Sequence, residues 1–468
     1  MSVRQMVADV VGQFRQELTR LVTTAVEDGL DADGFVDLIE DLKSVLNSAG
    51  RRTLVKVVHT QDEIEGVFEH EGNAHRFKQV STKEWLSPFG RIAIGRRYYQ
   101  PDEGGEGVAP IDLRCGMVGR YLTPDLEEAT AFAAAELSPK QTRELLAKLL
   151  PEAPSEKAIR RTIEDVGNFA EETWEEIESR VEAEAELPEG DVLVVSVDGV
   201  TVPLREAGTK PGRPADRPGV REGNHSPTAW KEAGVGTISV YEDSLDEAGE
   251  PERLATRYFA RMPEPGMERL FDQQSQAVER LIEKRDFREV VVLCDGKRSL
   301  WNTIERTEPY EGATQILDFF HVSEHLSHAA EAIFGKRDRQ AASWHAKYRA
   351  RLLEDPDGPQ AVIRSLRYYR AKLRRGTERH GVIRRVIGYL TRNKSRVTYA
   401  EFRRRGLPIG SGPVEAACKT IVSARLKRSG MRWSRTGGQR VMNLRTRKLS
   451  GEWSALWNEY QQQRKPAA

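Results

Sequence analysis

Residues 191–200, DVLVVSVDGV, decide how the rest of the chain is read. The run from Val192 to Val197 is apolar and β-branched almost throughout, and acids bound it on both sides. That length and composition predict a strand buried on both faces rather than a helix. Asp198 then stands at the end of the strand. A second such run, VVVLC at 290–294, ends in Asp295, and a third acid, Glu415, lies just inside a helix opened by the turn GSGPVE at 410–415. Two acids at the ends of buried strands, joined by one on a later helix, can converge on one point in space. Hard divalent ions prefer carboxylate oxygens, and two such ions about 3.5–4 Å apart can activate an attacking oxygen and stabilise a leaving one. Asp198, Asp295 and Glu415 are therefore predicted to hold two Mg²⁺ or Mn²⁺ ions for phosphoryl transfer.

Outward from Asp198 the pattern stays strand-rich. DVLVVSV is followed by VTVPL, a polar Gly/Pro-rich excursion over 206–228, then GVGTISVYE and TRYFAR. A helix (MERLFDQQSQAVERLIEKR), the strand EVVVLC, a short helix and the strand TQILDFFH complete the series. Three meandering strands, helix, strand, helix, strand is the order of an RNase H-like mixed sheet, an α/β fold. From His321 to about Arg405 the alternation of period two disappears, and segments such as SLRYYRAKLRR and GVIRRVIGYL predict helices. The sheet domain is thus expected over 191–325 and 406–450, interrupted by an all-α insertion over 326–405 and followed by a tail over 451–468.

The region before the sheet reads as helical and β-rich. Over 1–50, Val7, Val10, Val11, Phe14, Leu18 and Leu21, then Phe35, Leu38, Ile39, Leu42 and Val45, recur at helical spacing around a turn at 27–30. Such hairpins serve self-association or plain packing. Over 51–123 the runs TLVKVVHT, AHRFKQVS and RIAIGRRYY predict a small β-rich module. Over 124–190 helices are expected at 126–132, after Pro139 and after Ser155, an N-cap residue, running on into an acidic linker. Two short helices joined by the turn PEAP resemble a helix-turn-helix, which would set Lys157, Arg160 and Arg161 against DNA. Ordinary three-helix packing gives the same pattern.

The chain of 468 residues, 38% hydrophobic and 31% charged, has room for two to four domains. It contains no apolar run of about 18 residues of the kind a membrane span needs, and its N-terminus lacks the separate basic and apolar regions of a signal peptide. A cytoplasmic, nucleoid-associated location without membrane partners is expected. Cys115, Cys294 and Cys418 are too far apart in sequence for a CxxC zinc element or a disulfide framework. The formal net charge of zero hides a segregation: residues 336–448 hold 31 Lys or Arg against 7 Asp or Glu, a net of +24 that the remainder balances. An excess of this size points to a polyanion, nucleic acid first. Arg403, Arg404 and Arg405, then Lys419, Arg425, Lys427, Arg428 and Arg432, are predicted to neutralise phosphates. Trp433 among them either stacks on an extruded base or closes the core, whereas Trp230 and Trp301 read as core.

Taken together the motifs resemble those of DDE transposases of bacterial insertion sequences, within the broader group that includes Mutator-like and hAT-like enzymes. DGV at 198–200 looks like the first acidic motif, CDGKRSLW at 294–301 the second, and GSGPVEAACK at 410–419 the third. DFFHVSEHL at 318–326 matches the Asp-x-x-His motif after the second acid, with Asp318 and His321 in its two positions. The resemblance covers 191–448 and implies an RNase H-like catalytic domain with a helical insertion before the last acid. It implies metal-dependent cleavage and strand transfer at element ends, double-stranded DNA as partner and target, and a homo-oligomer on DNA. It also implies that His321 contacts the scissile phosphate or steadies Asp318. His321, His325 and His328 share a helical face that zinc could use, though no Cys lies near. Before residue 191 the zinc-binding cysteine pairs of many such enzymes are absent, Cys115 standing alone. Two other readings remain open: a non-catalytic DNA-binding regulator derived from a transposase, and an RNase H-like nuclease.

Overall fold

The computed structural model describes residues 3–62, 66–102, 104–184, 188–205, 228–245 and 251–464, so the excursion read at 206–228 falls almost wholly outside it. The chain forms two compact units, Met1–Val181 with Glu452–Ala468, and Glu182–Gly451.

In the first unit α1 (Val3–Glu27) and α2 (Ala32–Gln61) make the expected hairpin. Asp31 caps α2 by accepting from Gly34 N at 2.7 Å. α2 also takes in TLVKVVHT, which the sequence predicts as a strand. Leu54, Val55 and Val58 pack there against Trp85, Ile92 and Ile94, so burial at helical spacing overrides β-branched propensity. The strands β1 (Val67–His70), β2 (Asn73–Ser87) and β3 (Gly90–Pro101) form an antiparallel sheet. Then come α3 (Pro110–Arg114), α4 (Pro124–Glu136), α5 (Pro139–Leu149), α6 (Glu156–Glu172) and α7 (Trp174–Glu184). Ser138 and Gln141 close a capping box on α5, and Ser155 Oγ accepts from Ala158 N at 3.1 Å on α6. Residues 453–462, predicted as a tail, are a helix belonging to this unit. Its Tyr460 Oη donates to Glu127 Oε1 at 3.1 Å, and Arg180 Nη2 donates to Glu459 Oε2 at 2.9 Å.

The second unit is mixed α/β. β4 (Val192–Arg205), β5 (Thr228–Leu245), β6 (Pro251–Arg261), β7 (Glu289–Cys294) and β8 (Thr314–Leu317) lie in the order β6-β5-β4-β7-β8. The first three are antiparallel neighbours, and β4, β7 and β8 run parallel. DVLVVSV and VTVPL together form the single strand β4. Of TQILDFFH only TQIL is strand, because Asp318 caps the following helix. Leu193, Val195, Val291 and Val292 are each at most 1% exposed, and burying each such side chain is worth roughly 1.5–3 kcal/mol. Between β6 and β7, α8 (Glu268–Lys284) crosses the sheet, and between β7 and β8 stands α9 (Arg298–Ile304). Gln274 on α8 donates to Ser196 O at 3.2 Å and Thr237 O at 3.0 Å. Gly236 leaves it room, since a Cβ there would lie 2.8 Å from its Nε2.

After β8 the chain is helical: α10 (Phe319–Phe334), α11 (Arg339–Glu354), α12 (Gly358–Ala371), α13 (Glu378–Arg392) and α14 (Tyr399–Arg404). The block therefore starts at Phe319 rather than at 326. It returns to the sheet where Phe319 N donates to Ile409 O at 3.0 Å. α15 (Gly412–Ala417) passes into a π-helical turn, Cys418–Ser423, then α16 (Ala424–Leu426) and α17 (Arg435–Leu449). Among the described residues no helix is long and apolar enough to cross a membrane.

Candidate functional site

Register brings the acids together. β4 and β7 pair Val195 with Val292, so three residues further along each strand Asp198 stands beside Asp295. β7 and β8 pair Cys294 with Leu317, which sets Asp295 beside Asp318, and Asp318 N still donates to Cys294 O at 2.9 Å. The three aspartates thus share one level of the sheet: Asp295 and Asp318 stand just past the ends of β7 and β8, whereas Asp198, expected at a strand end, lies midway along β4, which runs on to Arg205 against β5.

Each is held differently. Burial pushes the Asp198 carboxyl above its ordinary range, and the charge of Asp295 pushes the same way. Its Oδ1 accepts from Gly199 N at 2.6 Å and its Oδ2 from the Cys418 thiol at 3.5 Å. Asp295 Oδ1 accepts from Lys297 N at 2.9 Å, while its carbonyl takes the Trp301 indole N–H at 2.7 Å. Asp318 is fully buried and accepts three N–H groups: His321 N at 2.7 Å, His321 Nδ1 at 3.3 Å and Ser411 N at 2.5 Å. Burial alone would raise its carboxyl, but the bonds from His321 and Ser411 outweigh that and hold it below the usual range. The bond to Asp318 pushes His321 up to about 9 against partial burial, with Asp295 and Glu324 adding to the rise. His321 is therefore an imidazolium at neutral pH.

Glu415 arrives on α15. Ser411 Oγ donates to its Oε1 at 3.4 Å, and one oxygen or nitrogen from each of Asp318, His321 and Glu415 lies within 4.8 Å of the others. One turn on, Cys418 reaches Asp198 and joins this helix to β4. A carboxylate has about four acceptor sites. Asp318 spends most of them on N–H donors, and so staples α10 to the turn before α15. Asp198, Asp295 and Glu415 each accept fewer bonds and keep lone pairs for a ligand. Among the described residues the cluster whose ligand atoms all lie within 4.8 Å of one another is Asp318, His321 and Glu415; Asp198 and Asp295 are not part of it. Hard carboxylate oxygens of this kind suit divalent ions of the Mg²⁺ or Mn²⁺ type.

The helical block closes on this edge as well. Tyr389 of α13 packs on His325 with ring centroids 4.3 Å apart, and a Cβ on Gly296 would come 2.1 Å from its ring. His325 is thus a packing residue, and among the described residues neither it nor His328 joins a cluster of metal-ligating groups. Cys418, Ser411 and Tyr389 escaped the sequence reading. Cys418, one turn beyond Glu415, carried the only local signal.

The predicted phosphate contacts divide. Arg403, Arg404, Lys419, Lys427 and Arg432 are exposed, as are Lys157, Arg160 and Arg161 in the first unit. Arg160 and Arg161 pair along α6 with Glu156 at 3.4 Å and Asp165 at 3.6 Å. Arg428 is half-buried and donates to Ala424 O at 2.6 Å. Arg405 is bound to Glu289 and, at 2.9 Å, to Thr314 Oγ1, which makes it a brace of the sheet. Arg425 is 1% exposed and lies over the Trp433 ring, so it is withdrawn as a phosphate contact. Trp433 is half-buried and tied in by its indole N–H to Leu426 O at 2.9 Å and by its backbone N–H to Pro203 O at 3.1 Å. Trp301 is core as expected, but Trp230 is 56% exposed, at the end of β5 where Lys427 lies 5.9 Å from its ring.

No family model and no curated protein matches the chain. Among solved structures it is similar to a Drosophila P element transposase strand transfer complex, at 12% identity over 71% of this chain and 80% of that one. The TM-score is 0.23, and a likeness at that level carries no argument.

Proposed function

We propose that the second unit is an RNase H-like catalytic domain that cleaves and joins DNA phosphodiesters, as a DDE transposase of a bacterial insertion sequence does. What supports this reading is the level that Asp198, Asp295 and Asp318 share on β4, β7 and β8, together with the grouping of Asp318, His321 and Glu415. The strand order supports it, and so does the helical block between β8 and the helix that carries Glu415. Asp198, Asp295 and Glu415 would hold two Mg²⁺ or Mn²⁺ ions, which when bound supply an activated oxygen nucleophile and charge stabilisation for the leaving oxygen. His321, held through Nδ1 by Asp318, offers its other N–H to a phosphate oxygen. The exposed arginines and lysines after residue 336 position the duplex through its phosphates.

The test is end cleavage and strand transfer in Mg²⁺ or Mn²⁺ on DNA flanking the gene, with a gel shift alongside. Asp295→Asn is expected to lower the rate by about 1,000-fold or more while binding DNA as wild type does. Equal cutting by both proteins would remove Asp295 from the chemistry. Binding by both with cutting by neither would favour a non-catalytic DNA-binding protein.

A further inference from the structure

The α1–α2 hairpin carries more apolar surface than it covers. α1 spans 25 residues without one that is buried, and an isolated helical pair with so little core is marginal in water. Each helix turns one apolar stripe toward the other. Each also carries a second stripe that faces solvent. On α2, Phe35, Ile39, Leu42 and Leu46 recur at intervals of four, three and four residues, the spacing of a helix–helix seam, and are 38–51% exposed. On α1, Val7, Val11, Val22 and Val26 fall within an arc of about 100° at 3.6 residues per turn and are 50–75% exposed.

The charges along the hairpin are polarised. Its tip, residues 27–41, holds seven acids and no Lys or Arg. The open end, residues 3–20 and 43–61, holds seven Lys or Arg against two acids. Those two acids are Asp9 and Glu17, which pair across the hairpin with Lys56 at 3.1 Å and Arg52 at 2.8 Å.

We propose that this hairpin is a dimerisation element whose outer stripes pack against the same hairpin of a second copy, head to tail, as an antiparallel four-helix bundle. The two outer stripes expose the equivalent of about four full side chains, or about 360 Å² per copy at roughly 90 Å² each. An ordinary homodimer interface buries about 800 Å² per partner, about 65% of it apolar, so the stripes supply the larger part of the apolar area such an interface needs. Charge selects the orientation. Head to tail, the acidic tip of each copy lies along the basic open end of the other, whereas tip to tip would juxtapose fourteen acids. The pairing is isologous, so it closes at two copies. It needs no DNA and does not depend on what the carboxylates of the second unit do.

Light scattering of the full chain without DNA, at micromolar concentration, is expected to give about twice the 52.8 kDa chain mass. Ile39→Glu with Leu46→Glu should raise the dissociation constant by about 100-fold or more. The helical circular dichroism should persist, because both side chains already face water in one copy. Asp37→Lys with Asp41→Lys should weaken the dimer at low salt and lose that effect at high salt. In a Cys115→Ser background, Asp33→Cys at the tip should not cross-link to its counterpart. A monomeric wild type would overturn the proposal and leave the stripes to another protein. A dimer indifferent to the double Glu variant would overturn it too. Efficient tip-to-tip cross-linking would overturn the head-to-tail arrangement.

Discussion

At the scale of single residues, His321 has a role separable from those of the acids. Its imidazolium depends on the bond from Nδ1 to Asp318, which lifts it from 6.5 to about 9. The folded value lies above the unfolded one, so its contribution to stability is complete below about 6.5 and is lost as pH rises through 9. If the charged ring holds a phosphate oxygen, activity should fall over the same upper range. His321→Gln should lower kcat by about 100-fold, the size seen when one preorganised donor is removed, and should abolish the alkaline limb of the pH profile. A variant that keeps the wild-type profile would separate His321 from the reaction. Asp198 and Asp295 were legible because each ends an apolar run, and Glu415 because a Gly-Ser-Gly-Pro turn opens its helix. What could not be read was which of the four acids serves as a staple. Asp318 has that role through the N–H of Ser411, 93 residues away, and no local pattern records such a contact.

At the scale of elements, the carboxylate-bearing edge of the sheet is assembled by the starts of two helices. Asp318 caps α10 and grips the turn before α15, so Asp318→Ala removes a cap worth about 0.5–2 kcal/mol and exposes a buried N–H that costs about 1–3 kcal/mol more. Chemical denaturation should report a loss in that combined range, with activity falling further as Glu415 loses its anchor. Rescue of stability but not activity by Asp318→Asn would separate the cap from the charge on His321. Gly296→Ala probes the opposite wall. Its methyl would meet the Tyr389 ring, and overpacking of that kind costs about 1–3 kcal/mol. Unchanged stability and rate would mean that α13 yields freely there. Elements themselves were readable where period and punctuation agreed, as in β4, β7 and α6. They were misread where tertiary burial decided. TLVKVVHT looks like a strand by composition, yet it is helical because Leu54, Val55 and Val58 share a buried face. The residues after Gly451 look like a tail, yet Trp453, Trp457 and Tyr460 give them a face to pack.

At the scale of the whole molecule, the segregated charge is the property that any DNA reading must answer to. The net of +24 over 336–448 overstates what a duplex would meet, because Arg425, Arg445 and Arg447 are buried and Arg396 pairs with Glu305 at 2.5 Å. Arg403, Arg404, Lys427 and Arg432 remain exposed, and if DNA is the partner each can displace counterions from a phosphate. Each phosphate neutralised adds about −0.9 to the slope of log affinity against log salt, and six to ten contacts lower affinity about 10³- to 10⁵-fold between 50 and 200 mM salt. The full chain is expected in that range by gel shift or fluorescence anisotropy. Arg403→Ala with Arg404→Ala should reduce the slope by about 2 and weaken binding to all sequences alike. Asp295→Asn should leave the slope unchanged, since a carboxylate neutralises no phosphate and releases no counterions from DNA. A slope near zero for wild type would mean that the basic excess faces something other than a nucleic acid backbone. Loss of sequence preference without loss of slope in the double Arg variant would place base recognition, rather than phosphate contact, at α14.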